Sequence, residues 1–243
     1  MSSPKVTLFD LPSRQGTTWS LNPWKTRIVL NYKSIPYKTE WVEYPDLAPK
    51  FKALGIPPNP EDSPGYFTDY SSPAIQYEDG TYQMDSWPIA HSLEKQYPNP
   101  PLHLEEPIVV KIRDFIKDLI IPLVPLVLTQ VPDVLLNEPS AKYFLETRKK
   151  TFGKPLGQVR AEADVETCWA AAAGPAKEVG DLLREKEGPF FLGETVSYAD
   201  FIFVTLLQMF KRIDQSVFER YMALDETFPK VFEACQPWME KQD

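Results

Sequence analysis

The spacing of apolar positions divides the chain into two halves with different periods. In the first hundred residues, short runs rich in β-branched and aromatic residues predict strands at Lys5 to Asp10 (KVTLFD) and Tyr37 to Tyr44 (YKTEWVEY). Between them, Pro23 to Ile35 reads as a helix with Trp24, Ile28 and Val29 near one face. Strand, helix, strand at this length is a βαβ unit, which implies two parallel neighbours joined by a right-handed crossover. Asp46 to Leu54 reads as a short helix, and Gly55 to Ser72 (GIPPNPEDSPGYFTDYSS) holds too many prolines and turn formers to be regular. A loop of that length in a compact domain is often functional. Ala74 to Tyr77 and Thr81 to Met84, joined by Glu78-Asp79-Gly80, predict a hairpin. Asp85 and Ser86 then open a helix whose apolar residues Ile89, Leu93 and Tyr97 recur every four. The order predicts a thioredoxin-like α/β layout.

Residues Pro98 to Pro107 (PNPPLHLEEP) have four prolines and no periodicity. They predict a linker, 98–107, between a first domain, 1–97, and an all-helical second domain, 108–243. Helical periodicity covers Ile108 to Leu136, a stretch around Lys142 to Phe152, Val159 to Glu187, Tyr198 to Ile213, Ser216 to Ala223 and Phe228 to Lys241. The most apolar run, Leu119 to Leu136, is interrupted by Pro122, Pro125, Gln130, Pro132 and Asp133. It reads as a kinked core helix rather than the roughly 20 clean apolar residues of a membrane span.

Composition narrows the classes. With 43% apolar and 25% charged residues the chain is that of a soluble globular protein, and its 25 prolines and 10 glycines stay below the share typical of low-complexity disorder. A net charge of −8 offers no broad attraction to nucleic acid or to an anionic membrane. Two cysteines, Cys168 and Cys235, and two histidines, His91 and His103, give no disulfide framework and no zinc spacing, so no metal is expected. The opening MSSPKVTLFD lacks the apolar stretch of a secretory signal, which makes the cytosol the expected compartment.

Chemistry is concentrated at three places. In Ser20-Leu21-Asn22-Pro23-Trp24-Lys25-Thr26-Arg27, Asn22 reads as an N-cap and Pro23 as the first helical residue. Unpaired backbone N–H groups and the positive helix end there favour an anion. A thiolate would be stabilised by the helix end, the Ser20 hydroxyl and the Asn22 amide, although a plain cap and turn explain the same residues. Ser72-Pro73 is either a simple strand entry or a cis proline that presents the backbone of Ser72 to an extended peptide. Asp85 and Ser86 are either caps or a second helix N-terminus that holds a carboxylate while Asp85 accepts from an ammonium. Together the three suit a short thiol peptide with a zwitterionic end, a description that glutathione meets.

On these residues the chain resembles a cytosolic glutathione transferase over nearly its full length. SLNPWKTRIVLNYKSIPYKTEWVEYP resembles the active-site loop and first helix, SSPAI the cis-proline segment, DSWPIAHSLEKQYP the γ-glutamyl-binding helix, and PFFLGETVSYADFIF the family's folding motif. In that motif Ser197 and Asp200 spell a capping box, with Val196 placed to staple onto Phe201. NPWKTR, EWVEYPD and the proline-rich insertion are most similar to the fungal etherase-like, or fungal-specific A, class. The resemblance implies glutathione as co-substrate, an acceptor pocket contributed by the helical domain, a homodimer, and detoxification-type transfer to hydrophobic or aromatic electrophiles, with aryl ethers as one option. A glutathione-dependent binding protein for aromatic ligands is the alternative it implies, and a regulatory module without catalysis is disfavoured.

Carried over residue by residue, the family's cysteine position holds Asn22 and its tyrosine position holds Phe9 and Asp10, so neither of those chemistries is available. Alignment on Trp24 puts Ser20 on the activating serine, with Ser13 and Thr17 or Thr18 as competitors. The resemblance further implies that Ser72, before Pro73, pairs with the cysteinyl backbone, that Asp85 and Ser86 bind the γ-glutamyl end, and that Lys50 or Lys52 reaches the glycine carboxylate. It implies an acceptor pocket bordered by Tyr66, Phe67 and Tyr70 and by Lys117 to Val127.

Overall fold

The first strand, β1, runs Val6–Asp10, and all five of its residues are buried. Residues 6–242 are described by the structure, a computed structural model, so Lys5 of the expected strand lies outside the described residues. Helix α1, Leu21–Tyr32, crosses over to β2, Tyr37–Trp41, which pairs in parallel with β1 from Val6 opposite Tyr37 to Asp10 opposite Trp41. β2 ends before Tyr44, where Pro45 enters a 3-10 turn, Tyr44–Asp46, leading into α2, Leu47–Ala53. Strands β3, Ala74–Gln76, and β4, Tyr82–Met84, form the expected antiparallel hairpin, and the sheet order is β2-β1-β3-β4. The hairpin turn is closed by the Tyr77 N–H donating to the Thr81 carbonyl at 2.9 Å and by the Thr81 N–H donating to Asp79. Helix α3, Ser86–Gln96, completes a thioredoxin-like half.

The irregular segment that follows is not slack. The Lys33 ammonium, on a fully buried side chain, donates to Glu94 at 2.6 Å and to the carbonyls of Tyr97 and Pro100. From α4, Pro107–Ile120, onward the chain is helical. The single kinked helix expected to Leu136 is instead a string of short pieces: a 3-10 turn at Ile121–Leu123, α5 at Val124–Val127, a 3-10 turn at Leu128–Gln130 and α6 at Val131–Val134. Pro122, Pro125 and Pro132 each sit in the first turn of a piece, the position where a missing N–H is harmless, so each restarts a helix. Leu119, Leu123, Leu126, Val127 and Val131 of this run are buried in the core.

Helix α7, Glu138–Phe152, starts earlier than its pattern suggests, with Pro139 in the first turn. Val159 to Glu187, expected as one helix, is two: α8, Leu156–Ala161, and α9, Val165–Arg184. Asp164 opens the second by accepting the Thr167 N–H at 2.7 Å. Helices α10, Tyr198–Ile213, α11, Gln215–Met222, and α12, Thr227–Ala234, follow, and Pro237 in a closing 3-10 turn ends the last helix short of Lys241. Helix α10 is apolar on nearly every side, which marks a central helix, and it packs against α1, α4 and α11. Its capping box is formed: Asp200 accepts from the Ser197 N–H at 2.7 Å, the Ser197 hydroxyl and the Phe191 N–H. Burial nevertheless pushes the Asp200 carboxyl up to about 6, against the pull of those donors.

One carboxylate ties the end of β1 to the first helix. Asp10 and Arg27 pair at 2.7 Å with both side chains fully buried. Asp10 also accepts from the Leu11 N–H at 2.6 Å and the Thr18 hydroxyl at 2.8 Å, while Arg27 donates to the Tyr37 hydroxyl and to Thr39 of β2. The loop between β1 and α1 is held from the other half as well, because Arg14 donates to the carbonyls of Pro132, Asp133 and Leu136 around the end of α6. The carbonyls of Pro132 and Asp133 are among the orphans a helix end leaves, and that of Leu136 lies just beyond it.

Removing one partner of a buried pair strands the other charge, at a cost of about 3–5 kcal/mol. Burial already raises the Asp10 carboxyl above its ordinary value, with Arg27 opposing, and loss of Arg27 raises it further. A group with a raised folded-state pKa loses its favourable contribution as pH rises, so Arg27→Met is expected to be more destabilised at pH 7.5 than at pH 5. Urea unfolding at both pH values checks this, and a deficit under about 1 kcal/mol at pH 7.5 would contradict the role assigned to the pair.

Candidate functional site

The mouth of α1 is built two residues earlier than the sequence suggests. Ser20 is the N-cap, with extended backbone at φ −80° and ψ 137°, and Asn22 lies inside the first turn, which corrects the expectation of Asn22 as the cap. Pro23 is tolerated at the third helical position because its missing N–H falls among those a first turn leaves unpaired anyway. The Trp24 N–H returns to the Ser20 carbonyl at 3.1 Å, and the first turn holds no acidic residue to offset the positive helix end.

Of the hydroxyls near this mouth, most are committed. Ser13 is buried and donates to the Thr17 carbonyl at 2.6 Å while its oxygen accepts the Thr17 N–H. The Thr17 hydroxyl lies 3.5 Å from that of Ser13, and Thr18 is buried on Asp10. Ser20 is half-buried and its side chain makes no capping hydrogen bond.

Ser72-Pro73 is a cis peptide, the second of the two readings the sequence leaves open. The ladder of β3 with β1 begins at Ala74 opposite Phe9, so the backbone of Ser72 lies beyond the last strand pair, and its hydroxyl donates to the Phe9 carbonyl at 3.0 Å. Asp85 has φ +75°, a left-handed value that a non-glycine side chain resists, and its N–H donates to the Pro73 carbonyl at 3.0 Å. It caps α3 by accepting the Trp87 N–H at 3.1 Å. Behind it, Tyr198 at the start of α10 donates to the Ser86 carbonyl at 3.2 Å, so the central helix of the second half braces the start of α3.

These places share one cavity of about 450 Å³, within the range of small-molecule sites. One wall is Leu21, Asn22 and Lys25 of α1, and a second is Ser72, Pro73, Asp85 and Ser86. A third comes from the long loop, with Tyr66 and Phe67, and a fourth from α4, with Arg113, Asp114, Ile116, Lys117 and Ile120. Five of the six site residues read from the sequence therefore line it. The sixth, Ser20, is not among the lining residues, although its chain neighbour Leu21 is.

Other expectations fall elsewhere. Residues 121–127 do not line the cavity, because the chain breaks out of α4 after Ile120. Tyr70 lies in a neighbouring groove with Tyr44 and Tyr143, with the Lys52 ammonium 5.3 Å from its ring centre. Lys50 pairs with Glu40, and neither Lys50 nor Lys52 borders the cavity.

Lys117 borders the cavity as expected, and two further cations, Arg113 and Lys25, join it without having been assigned a role from the sequence. Arg113 lies over the Trp87 ring at 4.4 Å and donates to Asp114 through two nitrogens. Lys25 is buried and donates to the Asn22 side-chain oxygen at 2.9 Å. Burial pushes the Lys25 ammonium down to about 8, with Asp85 opposing. The available signal was its spacing, three residues after Asn22 and so on the same helix face. Asn59, likewise missed, holds the long loop by donating to the Thr68 carbonyl and the Ser71 hydroxyl, both at 3.0 Å. Among the described residues no group of three or more His, Cys, Asp or Glu is placed to hold a metal ion.

A cavity with an electropositive helix mouth, a backbone edge beyond a strand pair and a second capped helix start can hold an extended anionic peptide. The comparisons with known proteins agree. Residues 19–96 match the glutathione S-transferase N-terminal domain and residues 112–238 match the glutathione S-transferase C-terminal domain. The chain is 34% identical to the glutathione S-transferase-like protein ustS of Aspergillus flavus, over 97% of this chain and 90% of that protein. Glutathione transferase GSTFuA3 from Phanerochaete chrysosporium superposes with a TM-score of 0.87 at 27% identity, covering 100% of both chains. The glutathione S-transferase CsGST63524 of Ceriporiopsis subvermispora, solved in complex with glutathione, superposes with a TM-score of 0.85 at 27% identity, over 98% of this chain and 99% of that one. The chain belongs to the glutathione S-transferase family.

Proposed function

We propose that the protein transfers glutathione to hydrophobic or aromatic electrophiles, with residues 1–97 gripping the tripeptide and the helical half lining the acceptor side. The observation that carries this is the shared cavity: Asn22, Ser72, Pro73, Asp85 and Ser86 meet in one space although they are spread over 65 positions of sequence. In this reading the cysteinyl backbone pairs with Ser72, and the γ-glutamyl carboxylate binds at Ser86 and the start of α3. The γ-glutamyl ammonium meets Asp85. The thiol then lies at the mouth of α1, where the Ser20 hydroxyl, uncommitted as a cap, donates to the thiolate. The ionised sulfur attacks an electrophilic carbon of the acceptor, and the leaving group departs with the displaced electron pair.

The acceptor side presents apolar and aromatic surface beside the charged Arg113, Asp114 and Lys117. Phe67 is 61% exposed at the cavity wall, and Trp87, Ile116 and Ile120 face the same space. The exposed aromatic surface suits a planar or apolar acceptor. The etherase-like, serine-type assignment, in which an aryloxy group leaves, rests on the NPWKTR and EWVEYPD segments and on the Ser20 hydroxyl at the start of α1. A binding protein for aromatic ligands draws on the same exposed Phe67 but leaves the uncommitted Ser20 hydroxyl without a task.

Conjugation rates with a halonitrobenzene, an isothiocyanate and a β-aryl ether, measured beside the affinity for an aromatic ligand, separate the two readings. Turnover of at least one electrophile is expected, and Ser20→Ala is expected to lower kcat/KM by about tenfold or more, corresponding to about 1.4 kcal/mol of transition-state stabilisation. Tight aromatic binding without turnover of any would overturn the transfer reading.

Asp85→Gly gives a second test, because removing the strained φ offsets the lost cap and the added chain entropy. Stability is expected to stay within about 1 kcal/mol of the parent while glutathione affinity falls by about tenfold or more. Unchanged affinity in calorimetric titration would remove Asp85 from the γ-glutamyl site.

A further inference from the structure

Three lysine or arginine residues are buried among the described residues: Lys25, Arg27 and Lys33. Arg27 has Asp10 at 2.7 Å and Lys33 has Glu94 at 2.6 Å. Lys25 has no carboxylate in contact. Its hydrogen-bond partner is the neutral side-chain oxygen of Asn22, which leaves two of its three N–H donors uncommitted at the wall of the cavity. A buried, unpaired ammonium is costly, and a fold that retains one gains by supplying its anion from outside.

Resting on the glutathione-transfer reading above, we propose that Lys25 is a catalytic residue, the charge partner of the glutathione thiolate, and that Asn22 is a positioning residue that holds its ammonium toward the sulfur. The two residues are three apart on α1 and face the same cavity, on the side of the helix mouth where the thiol lies. The γ-glutamyl carboxylate is served separately, by Ser86 and the start of α3. The remaining charged or titratable groups of the cavity are Asp85 at the start of α3, Tyr66 of the long loop, and Arg113, Asp114 and Lys117 of α4. Arg113 is engaged by Asp114, and Asp85 acts on Lys25 without an ion-pair contact, which leaves the ammonium only partly compensated until sulfur ionises.

The proton balance closes by either route. Where Lys25 carries its proton before binding, the thiol proton leaves to water. Where Lys25 is neutral, which its depressed pKa permits near and above pH 8, the thiol proton passes to the amine. Both routes end in the same thiolate–ammonium pair, and by linkage the thiolate raises the pKa of Lys25 as much as the ammonium lowers that of the thiol.

The test is a titration of the thiolate absorbance of bound glutathione in the full-length protein, with affinities for glutathione and S-methylglutathione measured alongside. Lys25→Met is expected to raise the bound thiol pKa by about one unit or more, a tenfold loss of thiolate at neutral pH, while Lys25→Arg keeps it near the parent value. Asn22→Asp, which would pair the ammonium internally, is expected to raise the thiol pKa as Lys25→Met does. S-methylglutathione, which has no ionisable thiol, is expected to bind the parent and Lys25→Met within about threefold. An unmoved thiol pKa in Lys25→Met overturns the proposal, and so does a loss of S-methylglutathione affinity beyond about tenfold, which would assign Lys25 to a carboxylate instead. Failure of the parent itself to bind either peptide would overturn the underlying glutathione reading, a result distinct from both.

Discussion

The site depends on the buried pair of Asp10 and Arg27. A helix mouth is useful only if it is aimed, and α1 is aimed by a carboxylate at the end of β1 that grips the helix one turn and a half inside its start. The same carboxylate holds Thr18 and the Leu11 N–H, so the loop, the strand and the helix converge on one charge. Arg27 reaches on to Tyr37 and Thr39, which adds β2. A hydrophobic contact of equal area would give comparable stability without fixing direction. Here the two charges need each other's geometry, and the geometry sets where the unpaired N–H groups of α1 point.

Around that anchor, several features that lower stability cluster at one cavity. Asp85 keeps a left-handed backbone, Lys25 keeps a charge away from water without a carboxylate, and the first turn of α1 has no acidic residue to offset its positive end. Each would be removed by selection for stability alone. The rest of the chain tolerates them because it is well tied: Arg14 binds the loop to the end of α6, Lys33 binds the segment after α3, and Tyr198 braces Ser86 from the central helix. Strain and unpaired charge are thus held by rigid surroundings, the arrangement expected where a ligand completes the electrostatics.

The sequence made the thioredoxin-like half legible because its signals are local: strands rich in β-branched and aromatic residues, an Asp-Gly hairpin, a helix opened by Asp85 and Ser86, and a proline at a strand entry, Ser72-Pro73. Ser197 and Asp200 were legible for the same reason, since a capping box is written within four residues. What was misread depends on competition between neighbouring signals or on tertiary placement. Ser20 and Asn22 are both good caps, and only the path of the chain out of Thr18 decides between them. Asp164 splits an apparently continuous helix because its cap outweighs a periodicity that persists across the break. The prolines after Ile120 turn one expected helix into several, and with that the predicted acceptor wall at 121–127 moves away from the cavity. Lys25 carries only its spacing from Asn22 as a local signal, since what distinguishes it is burial without a carboxylate partner.

The account stands on glutathione occupying the cavity between α1, the cis proline and α3. A crystal structure of the protein grown with glutathione tests this most directly. The account predicts the cysteinyl backbone paired with Ser72, the γ-glutamyl end at Asp85 and Ser86, and the sulfur within hydrogen-bonding reach of both the Ser20 hydroxyl and the Lys25 ammonium. Glutathione seated elsewhere, or with its sulfur turned away from the start of α1, would contradict it.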